Sequence, residues 1–135
     1  MNLRQVLALK STISLTVGLI FLLMPGVILA YFAVPNSGPT GLFFMARCYG
    51  ALLLLLGLLL WLSRTLAEPE VWRVIVPSVV IGDGVSGVVT LLGQATEMMN
   101  DLGWLVIAYH LISMLGLGLG LLPKRTARSQ VGSPR

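Results

Sequence analysis

Four stretches of roughly twenty apolar residues, each closed by charge or by helix-breaking residues, leave this chain few folds to choose from. They run over about 11–34, 42–62, 72–92 and 102–122. A helix needs about 20 such residues to cross a bilayer, because each residue advances 1.5 Å through a hydrocarbon core about 30 Å thick. Pro35-Asn36-Ser37-Gly38-Pro39 closes the first stretch and reads as a turn. Ser63-Arg64 closes the second, Glu97, Asn100 and Asp101 separate the third from the fourth, and Pro123-Lys124-Arg125 stops the fourth.

Composition excludes the alternatives. The 135 residues are 56% hydrophobic and only 10% charged, against about 25% charge in a soluble domain. A chain this short leaves much of its surface exposed, so a soluble core could not hide that much apolar area. A soluble enzyme and a disordered chain are both excluded on this ground. The expected fold class is all-α: an integral membrane four-helix bundle over residues 1–123, followed by a basic, disordered cytoplasmic tail at 124–135.

Charge sets the expected direction. Arg4 and Lys10 precede the first span, Arg64 and Arg73 flank the loop between the second and third, and Lys124, Arg125, Arg128 and Arg135 follow the fourth. An even number of spans puts all of these on one side, which the positive-inside rule makes cytoplasmic. A multi-pass protein of the inner (plasma) membrane with both termini in the cytoplasm is therefore expected. Arg47 alone breaks the pattern. Trp61 and Trp72 fall at the inner interface, and Tyr31, Phe32, Phe43, Phe44 and Trp104 at the outer one, where amphipathic rings settle. The first apolar run exceeds the 7–15 residues of a signal-peptide core, so it is read as a retained span. The same placement of the basic residues, at span ends rather than on one polar face, argues against nucleic acid as a partner despite the net charge of +4.

Lipid tails are as apolar as Leu, so small residues, not Leu, bring membrane helices together. Ala46 with Gly50, Ser78 with Gly82 and Ser86, and Gly116 with Gly120 form such stripes. Pro25-Gly26 and Pro77 are expected to kink the first and third spans.

Three polar residues inside the spans are candidates for a ligand or proton site: Asp83, Arg47 and His110. A charge near the bilayer centre costs about 2.5–3.5 kcal/mol on insertion scales, so it turns toward the bundle interior and finds a partner. Asp83, within Gly82-Asp83-Gly84, has two readings: a carboxylate that carries protons or binds cations, or a structural carboxyl that stays protonated or pairs with Arg47 or His110. Arg47 has a simpler alternative, snorkelling outward. His110 beside Tyr109 either relays protons or bonds between helices.

No catalytic residue, cofactor or metal site is expected. There is no phosphate-binding glycine loop, no zinc-type His spacing and no Ser nucleophile motif. The single Cys48 cannot form an internal disulfide.

Met45-Ala46-Arg47-Cys48-Tyr49-Gly50-Ala51, the Leu/Gly-rich span ending Trp61-Leu62-Ser63-Arg64, and Met99-Asn100-Asp101-Leu102-Gly103-Trp104 resemble small bacterial four-helix membrane proteins of the broad DoxX-like type. The resemblance implies a membrane-embedded accessory role, some relatives being linked to quinone-dependent redox complexes, and it defines no catalytic residue set to carry over. The expected function is a non-enzymatic accessory or binding role in a membrane complex. Its partners would be membrane lipids and either other membrane subunits or further copies of the chain. Two alternatives are a proton- or cation-coupled transporter using Asp83 and a quinone-contacting subunit of a redox complex.

Overall fold

The computed structural model describes residues 3–34, 41–66 and 68–121, which are helical apart from short turns. The proline-rich turn at 35–39 and the basic tail at 124–135 lie outside the described residues. Helix α1 spans Leu3–Leu23 and α2 Pro25–Tyr31. Helix α3 spans Gly41–Ser63, α4 is the single turn Glu68–Glu70, α5 spans Val76–Ala95 and α6 Gly103–Leu121. The four stretches Leu3–Leu23, Leu42–Ser63, Val71–Ala95 and Gly103–Leu121 are long and apolar enough to cross a membrane.

The proline-directed breaks have different forms. Met24 leaves helical geometry (φ −132°, ψ 53°), and Pro25 restarts the chain as α2, where its missing N–H costs nothing. Pro77 instead follows a π turn, Val71–Ile75, in which the Val76 N–H donates to the Val71 carbonyl five residues back. A proline ring crowds the carbonyl four residues before it, here that of Arg73, and the wider turn gives it room. Helix α1 begins well before the apolar run, since nothing from Leu3 to Lys10 breaks a helix. Lys10 therefore lies inside α1 and not ahead of it.

The helices form two hairpins, with α1 packed on α3 and α5 on α6. Glycine permits the first contact. A methyl group on Gly18 would lie 2.9 Å from the Gly50 carbonyl oxygen, and one on Gly50 2.7 Å from that of Gly18. Further along, the Ser11 hydroxyl donates to the Gly57 carbonyl at 2.7 Å, and Gly57 accommodates the Leu15 side chain. The stripes read on the third and fourth spans do less within the chain. Gly82 and Gly116 have open space where a Cβ would stand, while Gly120 lies under the Trp72 ring.

The hairpins meet at one end, here called the base, where α1 begins and α3 ends. Leu7, Leu60, Val71, Val76, Val79 and Leu117 form a continuous apolar core there. Arg64 lies over the Trp61 ring at 4.3 Å at the same end. At the opposite end, the rim, Asn100 ties the hairpins together. The Asn100 backbone N–H donates to the Phe32 carbonyl at 3.0 Å, and its side-chain amide donates to the Tyr31 carbonyl at 3.0 Å. Its side-chain oxygen accepts from the Leu102 N–H at 3.1 Å. Asn100 is thus a strap between the hairpins as well as part of the break between the third and fourth stretches. Between base and rim the hairpins part.

Candidate functional site

Above the apolar base, α1, α5 and α6 each contribute polar side chains to one buried cluster. On α1 the buried residues Leu7, Lys10, Ser11, Ser14 and Gly18 recur every three or four positions, so Lys10 belongs to the inward face. On α5 the inward residues are Val76, Val79, Asp83 and Gly87, again at helical spacing. On α6, Tyr109, His110 and Ser113 fall three or four residues apart or adjacent, and all turn toward Asp83 or Lys10.

The Lys10 ammonium donates to both Asp83 carboxylate oxygens, Oδ1 at 2.8 Å and Oδ2 at 2.9 Å. It also donates to Ser113 Oγ at 2.9 Å and Tyr109 Oη at 3.3 Å, and sits 4.8 Å from the centre of the Tyr109 ring. Ser113 uses its own proton to donate to Asp83 Oδ2 at 2.6 Å. His110 Nδ1 lies 3.2 Å from Asp83 Oδ1. A carboxylate only accepts, so Nδ1 carries the proton of that bond. Lys10 and Asp83 are each 5% exposed. Charges so buried persist when they are paired and hydrogen-bonded, and here both conditions hold.

A cavity of about 870 Å³ lies between the hairpins and ends on this cluster. Lys10, Asp83, Tyr109 and His110 border it at the floor, and Tyr49 lines it higher up, beside Phe21. The walls toward the rim are mostly apolar, formed by side chains such as Phe21, Leu29, Leu53 and Val106, with Ser86 and Thr90 among them. Tyr49 packs edge-on against Phe21 with ring centres 5.1 Å apart. The volume lies within the 300–1,000 Å³ common for small-molecule sites, and an apolar cavity with a few convergent polar groups is their usual chemistry.

Of the three candidates read from the sequence, the structure brings Asp83 and His110 together and leaves Arg47 outside. Arg47 is exposed on α3, and no hydrogen bond or ion pair joins it to the described residues. The cation that meets Asp83 is Lys10. Sequence reasoning placed Lys10 at the end of a span and so missed it, although its spacing from Leu7, Ser14 and Gly18 marks the buried face of α1. Tyr109 and Ser113 were also missed as partners. Their signal is the cluster of polar residues within one turn of His110 in an otherwise apolar helix.

Residues 8–128 match the model of a family described as a domain of unknown function, DUF8292. The chain belongs to the DUF8292 family. No curated protein and no solved structure matches it. The family match takes in both hairpins and every residue of the Lys10–Asp83 cluster, so the site lies within the part that defines the family.

Proposed function

We propose that this DUF8292 chain is a non-enzymatic, multi-pass protein of the inner (plasma) membrane that binds an amphipathic, lipid-like molecule between its two hairpins. The observation that carries the reading is the cavity with apolar walls and a floor made by Lys10, Asp83, Tyr109 and His110. The binding role would be accessory to a larger membrane complex, in line with the DoxX-like resemblance. The basic residues at the base support a direction with both termini cytoplasmic, which opens the cavity toward the outer half of the bilayer.

The test is native mass spectrometry of protein extracted in mild detergent, with the released small molecules identified. The wild-type chain is expected to retain a lipid-like molecule at about one per chain. Ser86→Trp, which places an indole in the cavity, is expected to lose it while keeping its helical signal. A wild-type chain that is folded and bare overturns the reading. Co-purifying subunits would identify the complex, whereas copies of the chain alone would favour a self-contained binder.

A second reading is supported by the place of the Lys10–Asp83 pair, buried beside the cavity and far from both ends of its helices. Separation of that pair would expose a carboxylate to a proton or cation in transit. Transport of this kind requires Asp83, so unchanged flux in an Asp83→Asn variant reconstituted in vesicles sinks it. A quinone-contacting subunit of a redox complex is a narrower form of the binding reading, and it too would use Asp83 and His110.

A further inference from the structure

We infer that the molecule held between the hairpins is an uncharged long-chain lipid with a carbonyl or hydroxyl head, bound with that head on the cavity floor and its chain toward the rim. This rests on the binding reading above and adds the chemistry of the ligand and its direction.

Three observations carry it. First, the charges at the floor cancel and are committed to each other, since Lys10 spans both Asp83 oxygens and Ser113 completes the pair. A phosphate or carboxylate head would meet no Lys or Arg at the floor other than the committed Lys10, among the described residues, and would stand against Asp83. Second, the floor keeps hydroxyl donors in reserve. Tyr109 accepts from Lys10, and no described residue takes the phenolic proton. Tyr49 lines the same cavity and has no hydrogen bond to the described residues. Two phenolic O–H groups that line one cavity suit a carbonyl or hydroxyl oxygen, which accepts from them without bringing charge. Third, the walls between floor and rim are mostly apolar, with Ser86 and Thr90 the polar exceptions and the Thr90 hydroxyl already donating to the Ser86 carbonyl, so the rest of the ligand is mainly hydrocarbon.

The direction follows from depth. Asp83 lies midway along Val71–Ala95, so a floor built on it stands near the middle of a bilayer spanned by that helix. A phospholipid of the adjoining leaflet keeps its charged head at the surface and would set its terminal methyls against the phenolic hydroxyls, leaving them unsatisfied. An uncharged head can enter the membrane interior. Leu52, Val85 and Val89 line the cavity and are themselves exposed, so the space is open sideways to hydrocarbon.

The probe is 4-dodecylbenzophenone, whose photoreactive carbonyl is itself the head, added to the full chain in phosphatidylcholine vesicles. We expect saturable labelling mapped to α1, α5 and α6 near Ser14, Asp83 and Tyr109. A long-chain methyl ketone should displace the probe, and excess phosphatidylglycerol should not. Tyr49→Phe and Tyr109→Phe keep the rings and should each weaken half-saturation about threefold to tenfold. Labelling at Ile28–Phe32 that phosphatidylglycerol displaces would overturn this inference and leave the binding reading standing. Absent saturable labelling would overturn it too. In that case a lipid retained in native mass spectrometry would preserve the binding reading, and a bare chain would remove both.

Discussion

Gly18 and Gly50 cross with their backbones in contact, each occupying the space where the other's β-carbon would stand. A methyl group at either position meets carbonyl oxygen and peptide nitrogen, at 2.7 to 2.9 Å, and backbone cannot swing aside as a flexible side chain can. Gly18→Ala or Gly50→Ala is expected to destabilise the fold by about 1–3 kcal/mol in denaturant titrations in mixed micelles. Gly82→Ala and Gly116→Ala, where no atom from outside the local helix backbone lies within 4 Å of the added carbon, should instead be neutral or stabilising by up to about 1 kcal/mol, since alanine is the better helix former. Equal effects at all four positions would contradict the crossing.

The buried ion pair predicts a strong coupling. Asp83→Asn leaves the Lys10 ammonium without a countercharge at a site 5% exposed, and Lys10→Met leaves the carboxylate in the same position. Each should cost about 3–5 kcal/mol. The double variant should cost clearly less than the sum, with a coupling of about 0.5–3 kcal/mol in the mutant cycle. Additive losses would show that the two groups do not stabilise one another.

Asn100→Ala removes the side-chain bonds to the Tyr31 carbonyl and the Leu102 N–H but keeps the backbone bond to Phe32. The expected cost is about 0.5–1.5 kcal/mol per bond lost. Amide exchange should rise at Leu102 and at Asn100 while the base residues stay protected. Unaltered exchange at the rim would mean that the strap carries no strain of closure.

Two helix ends carry a non-glycine residue in left-handed geometry: Ala33 (φ 54°) after α2 and Glu97 (φ 56°) after α5. In both, the next N–H reaches five residues back, from Val34 to Leu29 and from Met98 to Gly93. Glycine is the favoured residue at this position. Ala33→Gly or Glu97→Gly should stabilise the chain by about 0.5–1 kcal/mol, read in the same titrations, after allowing for the added freedom of the unfolded chain.

Arg47 provides the opposite expectation. It is exposed on α3 and stands outside the cluster, so Arg47→Gln should leave both stability, within about 0.5 kcal/mol, and ligand retention unchanged. A lost ligand would bring Arg47 back into the site.

The spans were legible because hydrophobicity at this length has few uses, and the breaks at Met24 and before Pro77 were legible because proline acts locally. The partner of Asp83 was not. Basic residues near span ends serve topology so often that Lys10 was assigned by its neighbourhood in sequence, and only the helix starting at Leu3 puts it on the buried face. The glycine contact had the same difficulty. Gly50 stood out beside Ala46, but Gly18 has no small residue four positions away on either side except Ser14, and its role depends on the helix that crosses it. The cavity was invisible in sequence, because it is made by the divergence of two hairpins and by no residue pattern within one helix.

Lys10 and Asp83 are 73 positions apart in the chain, and that separation fixes an order of events at the ribosome. At about 5–20 residues per second, the ammonium is made some 4 to 15 s before its carboxylate. The first hairpin is therefore synthesised before the residues that pair with its lysine exist, and the Lys10–Asp83 bond can close only once the second has been made. A chain that ends at Ser63 has both glycines of the crossing and none of the α5 and α6 groups that accept from the Lys10 ammonium. By that one residue, an unfinished product differs chemically from a completed molecule.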